Sequence, residues 1–197
     1  MMKKAAFVWA LLLAGMASSF AGLKPGDKVN PFSLKASNGE MVSLSDFTTQ
    51  KGLIVIFSSN TCPFSLAYEE RIMDLHKRFS NEGFPLIMIN PNQVKNSPAD
   101  GLSQMQARAK EKGFRFPYLK DEDQLVCKAF GALKTPQVFL LENKNGTFRL
   151  AYCGAIDNNA MDANRVSSRY LEQAIIALVK GKKPNPAVTK AIGCNIR

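Results

Sequence analysis

Two short apolar runs separated by a helical pattern constrain the fold of this chain most strongly. The runs GLIVIF (52–57) and PLIMIN (85–90) are nearly free of polar side chains, which is typical of strands buried on both faces. Between them, apolar residues recur at helical spacing over residues 63–79, and Gly83 is a stop signal. Because parallel strands need a long crossover, this segment predicts a βαβ unit.

The flanking segments extend this unit on both sides. Before it, Asn38-Gly39 separates the alternating runs NPFSL and MVSL and predicts an N-terminal β-hairpin. After it, the sequence predicts helices over 102–113, 121–132 and 166–179, and strands at QVFLL and FRLAY joined by an Asn-Gly turn. A βαβ half followed by a ββα half is the thioredoxin arrangement. We therefore expect an α/β, thioredoxin-like fold whose central mixed sheet is flanked by helices.

The first 21 residues have the layout of a secretory signal peptide. MMKK is basic, AAFVWALLLAGMA is apolar but short for a membrane span, and SSFAG supplies small residues for cleavage. Cleavage after Ala21 would leave one domain, residues 22–197, which is large enough for a single core. We expect an exported, most simply periplasmic protein without a stable membrane span after cleavage; secretion and an uncleaved tether are the alternatives.

Composition argues against several functional classes. The chain has 26 lysines and arginines against 16 acidic residues, but the basic residues are scattered and do not interleave with aromatic ones. We therefore expect no nucleic-acid partner. His76 is the only histidine and the four cysteines form no CxxC pair, so we expect neither a metal nor another cofactor. Export would place these cysteines, Cys62, Cys127, Cys153 and Cys194, where disulfides form, and three complete pairings are possible.

Cys62 lies where chemistry is expected in a fold of this kind. It follows the strand predicted at 52–57, at the carboxyl edge where ligands gather in open α/β sheets. Pro63 suits the first helical position, so the free N–H groups and partial positive charge of a helix N-terminus would stabilise a Cys62 thiolate. Ser59 and Thr61 could add hydroxyl donors to the sulfur. The alternative is that Cys62 is an inert packing residue.

The Thr135-Pro136 pair precedes QVFLL, which we interpret as an edge-type strand. Such a pair can hold a cis peptide bond, although an ordinary trans proline opening a strand fits the sequence equally well. In thioredoxin-like folds the loop at this point faces the nucleophile. We therefore include Thr135 and Pro136 among the candidate site residues.

The chain resembles the redoxin group of the thioredoxin superfamily, of the alkyl hydroperoxide reductase/thiol-specific antioxidant type. More narrowly, it is similar to the peroxiredoxin-like branch of thioredoxin-family proteins. The matching stretches span nearly all of residues 22–197 and are PGDKVNPFSLKASNGEMVSLSDF, NTCPFSLAYEERI, GFRFPYLKDEDQLVCKAFGALKTP and RYLEQAIIALVKGKKPNPAVTKAIGCNIR. The resemblance implies a nucleophilic Cys62 and a cis Pro136 opposite it.

The chain also departs from the motifs of this superfamily. Peroxiredoxins carry P-x-x-x-[ST]-x-x-C; Ser59 and Cys62 match it, whereas Val55 stands at the proline position. Pro136 stands at the position of the arginine that binds peroxide in peroxiredoxins. Thioredoxins carry W-C-x-x-C, and Ser65 replaces the second cysteine here. Because position 65 is a serine, Cys62 has no local cysteine with which to form a disulfide.

A disulfide on Cys62 must therefore be resolved by a distant cysteine or an external thiol. Cys194, in a tail that we expect to be mobile, is the first candidate. Cys127 is the second candidate, although its helical pattern favours a core position. Cys153, in or just after a strand, is suited to packing or to a structural bridge.

These features favour an exported thiol-based oxidoreductase that uses a single nucleophile, Cys62, for thiol–disulfide exchange or antioxidant chemistry. Its expected partners are an external thiol reductant, a protein disulfide substrate and, in one alternative, a peroxide. That alternative is a peroxiredoxin-like peroxidase with an atypical pocket. A further alternative is a non-catalytic thioredoxin-fold protein that binds a partner.

Overall fold

The computed structural model describes residues 22–197, and the signal peptide predicted for residues 1–21 lies outside them. Within the described range, no helix is long and apolar enough to cross a membrane. The helices are α1 (Pro63–Phe79), α2 (Leu102–Lys112), α3 (Leu125–Phe130) and α4 (Tyr170–Val179). The strands are β1 (Ser33–Ala36), β2 (Met41–Ser43), β3 (Gly52–Phe57), β4 (Leu86–Asn90), β5 (Tyr118–Lys120), β6 (Lys134–Thr135), β7 (Gln137–Lys144), β8 (Thr147–Gly154) and β9 (Cys194–Asn195).

Seven strands form the central sheet in the order β2-β1-β5-β4-β3-β7-β8, and β6 pairs with β9 in a separate two-stranded sheet. β3 and β5 run parallel to β4, whereas β7 is antiparallel to β3. The predicted mixed sheet, βαβ unit and N-terminal hairpin are therefore confirmed. Phe57 at the end of β3 pairs with both Ile89 and Gln137. This register brings the start of α1 and the loop before β7 to the same edge of the sheet.

Both faces of β3 are buried, which explains its continuous apolar sequence. Ile54 and Ile56 pack with residues of α1, α2 and α4 in one hydrophobic cluster. Leu53, Val55 and Phe57 pack with α3 in a second cluster on the opposite face. Because successive side chains of a strand point to opposite faces, six consecutive apolar residues supply both layers of the core. The segment that leaves β3 toward α1 is thus anchored in a fully buried strand.

Two predicted helices begin later than the sequence suggested. Gln124 has a left-handed backbone (φ 58°), so α3 starts at Leu125 instead of residue 121. The Asp121 carboxylate accepts the Cys127 N–H at 2.7 Å, and it therefore caps this helix from outside it. The last helix starts at Tyr170 instead of residue 166, after a short 3₁₀ turn over Ala163–Arg165.

The strand pattern also differs from expectation at three places. QVFLL was predicted as an edge-type strand, but β7 lies between β3 and β8. The three-residue β5, absent from the prediction, joins β4 to the hairpin strand β1. The C-terminal tail was predicted to be mobile, yet Cys194 and Asn195 form β9 and pair with Thr135 and Lys134.

Candidate active site

Cys62 occupies the N-cap position of α1. Its backbone is extended (φ −85°, ψ 117°), Pro63 fills the first helical position, and the Leu66 N–H donates to the Cys62 carbonyl at 3.0 Å. No acidic residue occupies the first turn, and the Cys62 side chain makes no cap hydrogen bond. The N-terminal N–H groups and partial positive charge of a 17-residue helix are therefore available to stabilise an anion at this side chain.

Cys62 and Cys194 form a disulfide, with their Cα atoms 5.9 Å apart across 132 residues of sequence. Cys194 reaches this position because β9 pairs antiparallel with β6, opposite Thr135. Cys62 is only 2% exposed in this oxidised state. Its sulfur is paired with that of Cys194, which argues against the alternative of an inert packing role.

The Thr135–Pro136 peptide bond is cis and faces the disulfide, as the resemblance implied. The Thr135 carbonyl oxygen lies 2.9 Å from the Cys62 sulfur. A Cβ atom on Gly193 would overlap the Thr135 carbonyl group, so a glycine is needed where the tail crosses this loop. The loop and the tail thus enclose the sulfur of Cys62 together.

Ser59 and Thr61 precede Cys62, but their hydroxyls do not take the predicted role of donors to its sulfur. Ser59 Oγ donates to Asp100 Oδ2 at 3.2 Å, and Thr61 Oγ1 donates to the same oxygen at 3.0 Å. The Asn60 N–H donates to Asp100 Oδ1 at 2.7 Å. A buried carboxylate must be satisfied by donors, and these groups supply them. Ser59 and Thr61 therefore fix the loop that leads to Cys62.

Asp100 itself was missed by the sequence analysis. Its residue is 0% exposed, and it accepts further hydrogen bonds from Asn90 Nδ2 (2.8 Å), Asn92 Nδ2 (2.9 Å) and Ser97 Oγ (2.6 Å). Burial raises the pKa of Asp100, but hydrogen bonds from Ser97, Asn92, Asn90 and Asn60 outweigh it and leave that pKa below its ordinary value. The available signal was a run of polar residues directly after the buried strand PLIMIN.

Comparison with known proteins assigns the family. The family model described as the AhpC/TSA family matches residues 25–151. The chain belongs to this family. Peroxiredoxin Bcp of Escherichia coli strain K12 is 25% identical over 130 residues, which cover 66% of this chain and 78% of that protein. Chloroplastic peroxiredoxin Q of Sedum lineare is 27% identical over 142 residues, which cover 68% and 72%.

A solved structure extends the similarity beyond the matched segment of the AhpC/TSA model. The crystal structure of a hypothetical protein, SMc02350 from Sinorhizobium meliloti 1021, has 32% sequence identity and a TM-score of 0.81. The similarity covers 89% of this chain and 95% of that one. The redoxin resemblance and the assignment to oxidoreductases are thus confirmed for this AhpC/TSA chain. The mixed sheet and its structural neighbours confirm the thioredoxin-like fold.

Two buried hydroxyls of this AhpC/TSA site have no hydrogen-bond partner among the described residues. They are Ser65 Oγ, one turn after Cys62 on α1, and Thr135 Oγ1, in the residue whose carbonyl contacts the Cys62 sulfur. Ser65 stands at the position of the second cysteine of the thioredoxin motif. Buried hydroxyls without partners are uncommon, so each of these residues has a donor that is unused in the oxidised protein.

The other two cysteines of this AhpC/TSA chain are free thiols. Cys127, the second resolving candidate, is buried in the cluster on the α3 face, and its thiol donates to the Ala132 carbonyl at 3.4 Å. Burial, together with the nearby Asp121 carboxylate, raises the pKa of Cys127 to about 12. Burial also raises the pKa of the half-buried Cys153. The structure therefore places Cys127 in the core, as its helical pattern favoured, and not beside Cys62.

An open cavity of about 290 Å³ lies beside the cis proline of this AhpC/TSA fold. Its lining includes Phe64, Pro136, Met161 and Ile192, and the last two are 62% and 59% exposed. Phe64 and Ile192 each lie two residues from a cysteine of the disulfide. Residues 157–159 add polar side chains to this lining, so the cavity beside Pro136 offers a mixed apolar and polar surface to an incoming molecule.

Proposed function

We propose that this chain is an exported thiol–disulfide oxidoreductase in which Cys62 is the nucleophile and Cys194 is the resolving cysteine. The disulfide between them is the observation on which the proposal depends. It joins a sulfur at a helix N-terminus, the site that favours a thiolate, to a tail cysteine paired with the loop that holds Pro136. A cysteine in that position can act without a CxxC motif.

The proposed cycle transfers two electrons. The Cys62 thiolate attacks one sulfur of an oxidised protein disulfide, which forms a mixed disulfide and releases the other sulfur as a thiolate. The Cys194 thiolate then attacks the Cys62 sulfur, which closes the Cys62–Cys194 disulfide and releases the reduced substrate. An external dithiol restores both thiols by the same exchange, and its own sulfurs are oxidised.

The test is to trap the covalent intermediates. Wild type is equilibrated in glutathione buffers of graded potential and alkylated, and its disulfides are assigned by mass spectrometry. We expect Cys62–Cys194 in the wild type, a lasting Cys62–glutathione adduct in C194S, and no adduct at this site in C62S. C127S is the control and should match wild type. A wild-type chain whose Cys62 never pairs with Cys194 would refute the proposal.

Peroxide reduction is the second candidate, because the AhpC/TSA relatives include proteins named peroxiredoxins. In this version the Cys62 thiolate takes one oxygen from a hydroperoxide, which leaves an alcohol or water and a Cys62 sulfenic acid. Cys194 then condenses with it, and water leaves as the disulfide forms. Rapid-mixing measurements of peroxide consumption distinguish the candidates. A rate no faster than that of a free thiol eliminates the peroxidase and leaves disulfide exchange.

Export is the remaining part of the proposal, and the signal-peptide layout of residues 1–21 supports it. We expect fractionation of cells that express the full chain to place the protein outside the cytoplasm. Intact-mass measurement should give a mature form beginning at Gly22. An unprocessed chain in the cytosol would contradict this part without affecting the proposed chemistry.

A further inference from the structure

The geometry points to Asn92 as a positioning residue that holds both redox cysteines, and this inference rests on the proposed Cys62–Cys194 cycle. Asn92 is 3% exposed and lies just after β4, at the carboxyl edge of the sheet. Its carboxamide makes contacts in two directions. The amide nitrogen binds the loop that leads to Cys62, and the amide oxygen binds the tail that follows Cys194.

On the Cys62 side, Asn92 Nδ2 donates to Asp100 Oδ2 at 2.9 Å and to Ser59 Oγ at 3.2 Å. The same carboxylate accepts from the Asn60 N–H and from Thr61 Oγ1. Residues 59–61 lead directly into Cys62. Asn92 therefore supports both the carboxylate and one of the hydroxyls that fix this loop.

On the Cys194 side, Asn92 Oδ1 accepts the Arg197 N–H at 2.8 Å. The Arg197 backbone oxygen accepts from the Gln93 N–H and from Gln124 Nε2, each at 2.9 Å. Three donor or acceptor groups thus hold the backbone of a residue only three positions after Cys194. The contact of Lys134 Nζ with Asn195 Oδ1, at 2.7 Å, fixes the intervening segment.

The backbone of Asn92 is itself held by hydrogen bonds, so its side chain can fix the positions of the two segments that it contacts. Its N–H donates to Asn90 Oδ1 at 3.1 Å, and its carbonyl accepts from the buried Lys120 Nζ. These contacts do not include the sulfurs, and they can persist when the disulfide opens. A tail held in this way keeps the Cys194 thiol close to Cys62, which raises its effective concentration for closing the disulfide.

The test compares variants of the full chain. In Asn92→Ala we expect the equilibrium constant for Cys62–Cys194 disulfide formation against glutathione to fall about two- to tenfold, the effect of losing one hydrogen bond or a few weak ones. The alkylation rate of Cys62 in the reduced protein should also change. Asn96→Ala is the matched control, because Asn96 is an exposed amide on the same loop, and it should change neither quantity.

A second variant separates the two directions of contact. Deletion of Arg197 removes its contacts with Asn92, Gln93 and Gln124 and keeps Ile196 in the core, so it should lower the equilibrium constant and leave the Cys62 alkylation rate unchanged. It also keeps the inference testable if Asn92→Ala does not fold, which thermal unfolding of the reduced protein reports. Unchanged equilibrium constants in the folded variants would overturn the role of Asn92. A wild type that forms no Cys62–Cys194 disulfide would instead refute the proposed function.

Discussion

Replacing Asp100 by asparagine tests whether a buried carboxylate holds the loop in front of Cys62. The substitution preserves shape and removes the charge. It also places an N–H donor where Oδ2 now accepts from Ser59, Thr61, Asn92 and Ser97. The hydroxyls can rotate and accept, but the Asn92 amide group facing this position can only donate.

The expected loss of unfolding free energy follows from the hydrogen bonds that the substitution removes. At least one charge-assisted hydrogen bond is lost, and at least one buried donor is left without an acceptor, which together cost about 3 kcal/mol. For a domain of this size, that loss corresponds to a fall of about 6–12 °C in Tm. It is a substantial part of the roughly 5–15 kcal/mol by which such domains are stable.

The assay is urea unfolding of the oxidised protein, with Asp123→Asn as an exposed control that should match wild type. Because the folded state lowers the pKa of Asp100, its stabilising contribution is fully present above the ordinary carboxyl pKa and is lost as the pH falls through the folded-state value. The difference between wild type and Asp100→Asn should therefore narrow in acid. A difference below about 1 kcal/mol at neutral pH, or one independent of pH, would refute the reasoning.

Three further outcomes are expected. Gly193→Ala should shift the Cys62–Cys194 equilibrium toward the reduced form, since its Cβ would overlap the Thr135 carbonyl; an unchanged glutathione titration would contradict this. Cys127 should resist iodoacetamide in the native protein, because burial raises its pKa to about 12, and rapid labelling at mildly alkaline pH would show otherwise. Ser65→Ala should raise the pKa of the reduced Cys62 thiol by roughly one unit, the effect of one lost hydrogen bond; an unshifted pH profile of alkylation in a C194S background would argue against the proposed donor.

The parts of the fold that the sequence predicts well are those with local signals. GLIVIF and PLIMIN are continuous apolar runs, and the helix between them has a 3.6-residue period, so each signal is contained in one segment. Together these segments place Cys62 at the carboxyl edge of β3. β5, with three residues, and β9, with two, are too short for any period. β5 forms because it pairs with β4 and β1, and β9 forms because it pairs with β6. These partners lie far away in the sequence.

The surroundings of Cys62 are less predictable for the same physical reason. The hydroxyls of Ser59 and Thr61 could face either the sulfur or another acceptor, and the choice depends on Asp100, about forty positions later. A buried carboxylate must be satisfied by hydrogen-bond donors. Both hydroxyls therefore donate to Asp100 instead of to the sulfur. Ser65 and Thr135 retain buried hydroxyls without a partner in the described part of the chain, so we expect these hydroxyls to donate to Cys62 if it becomes a thiolate. The local sequence therefore indicates the candidate nucleophile, whereas distant loops determine which groups surround it.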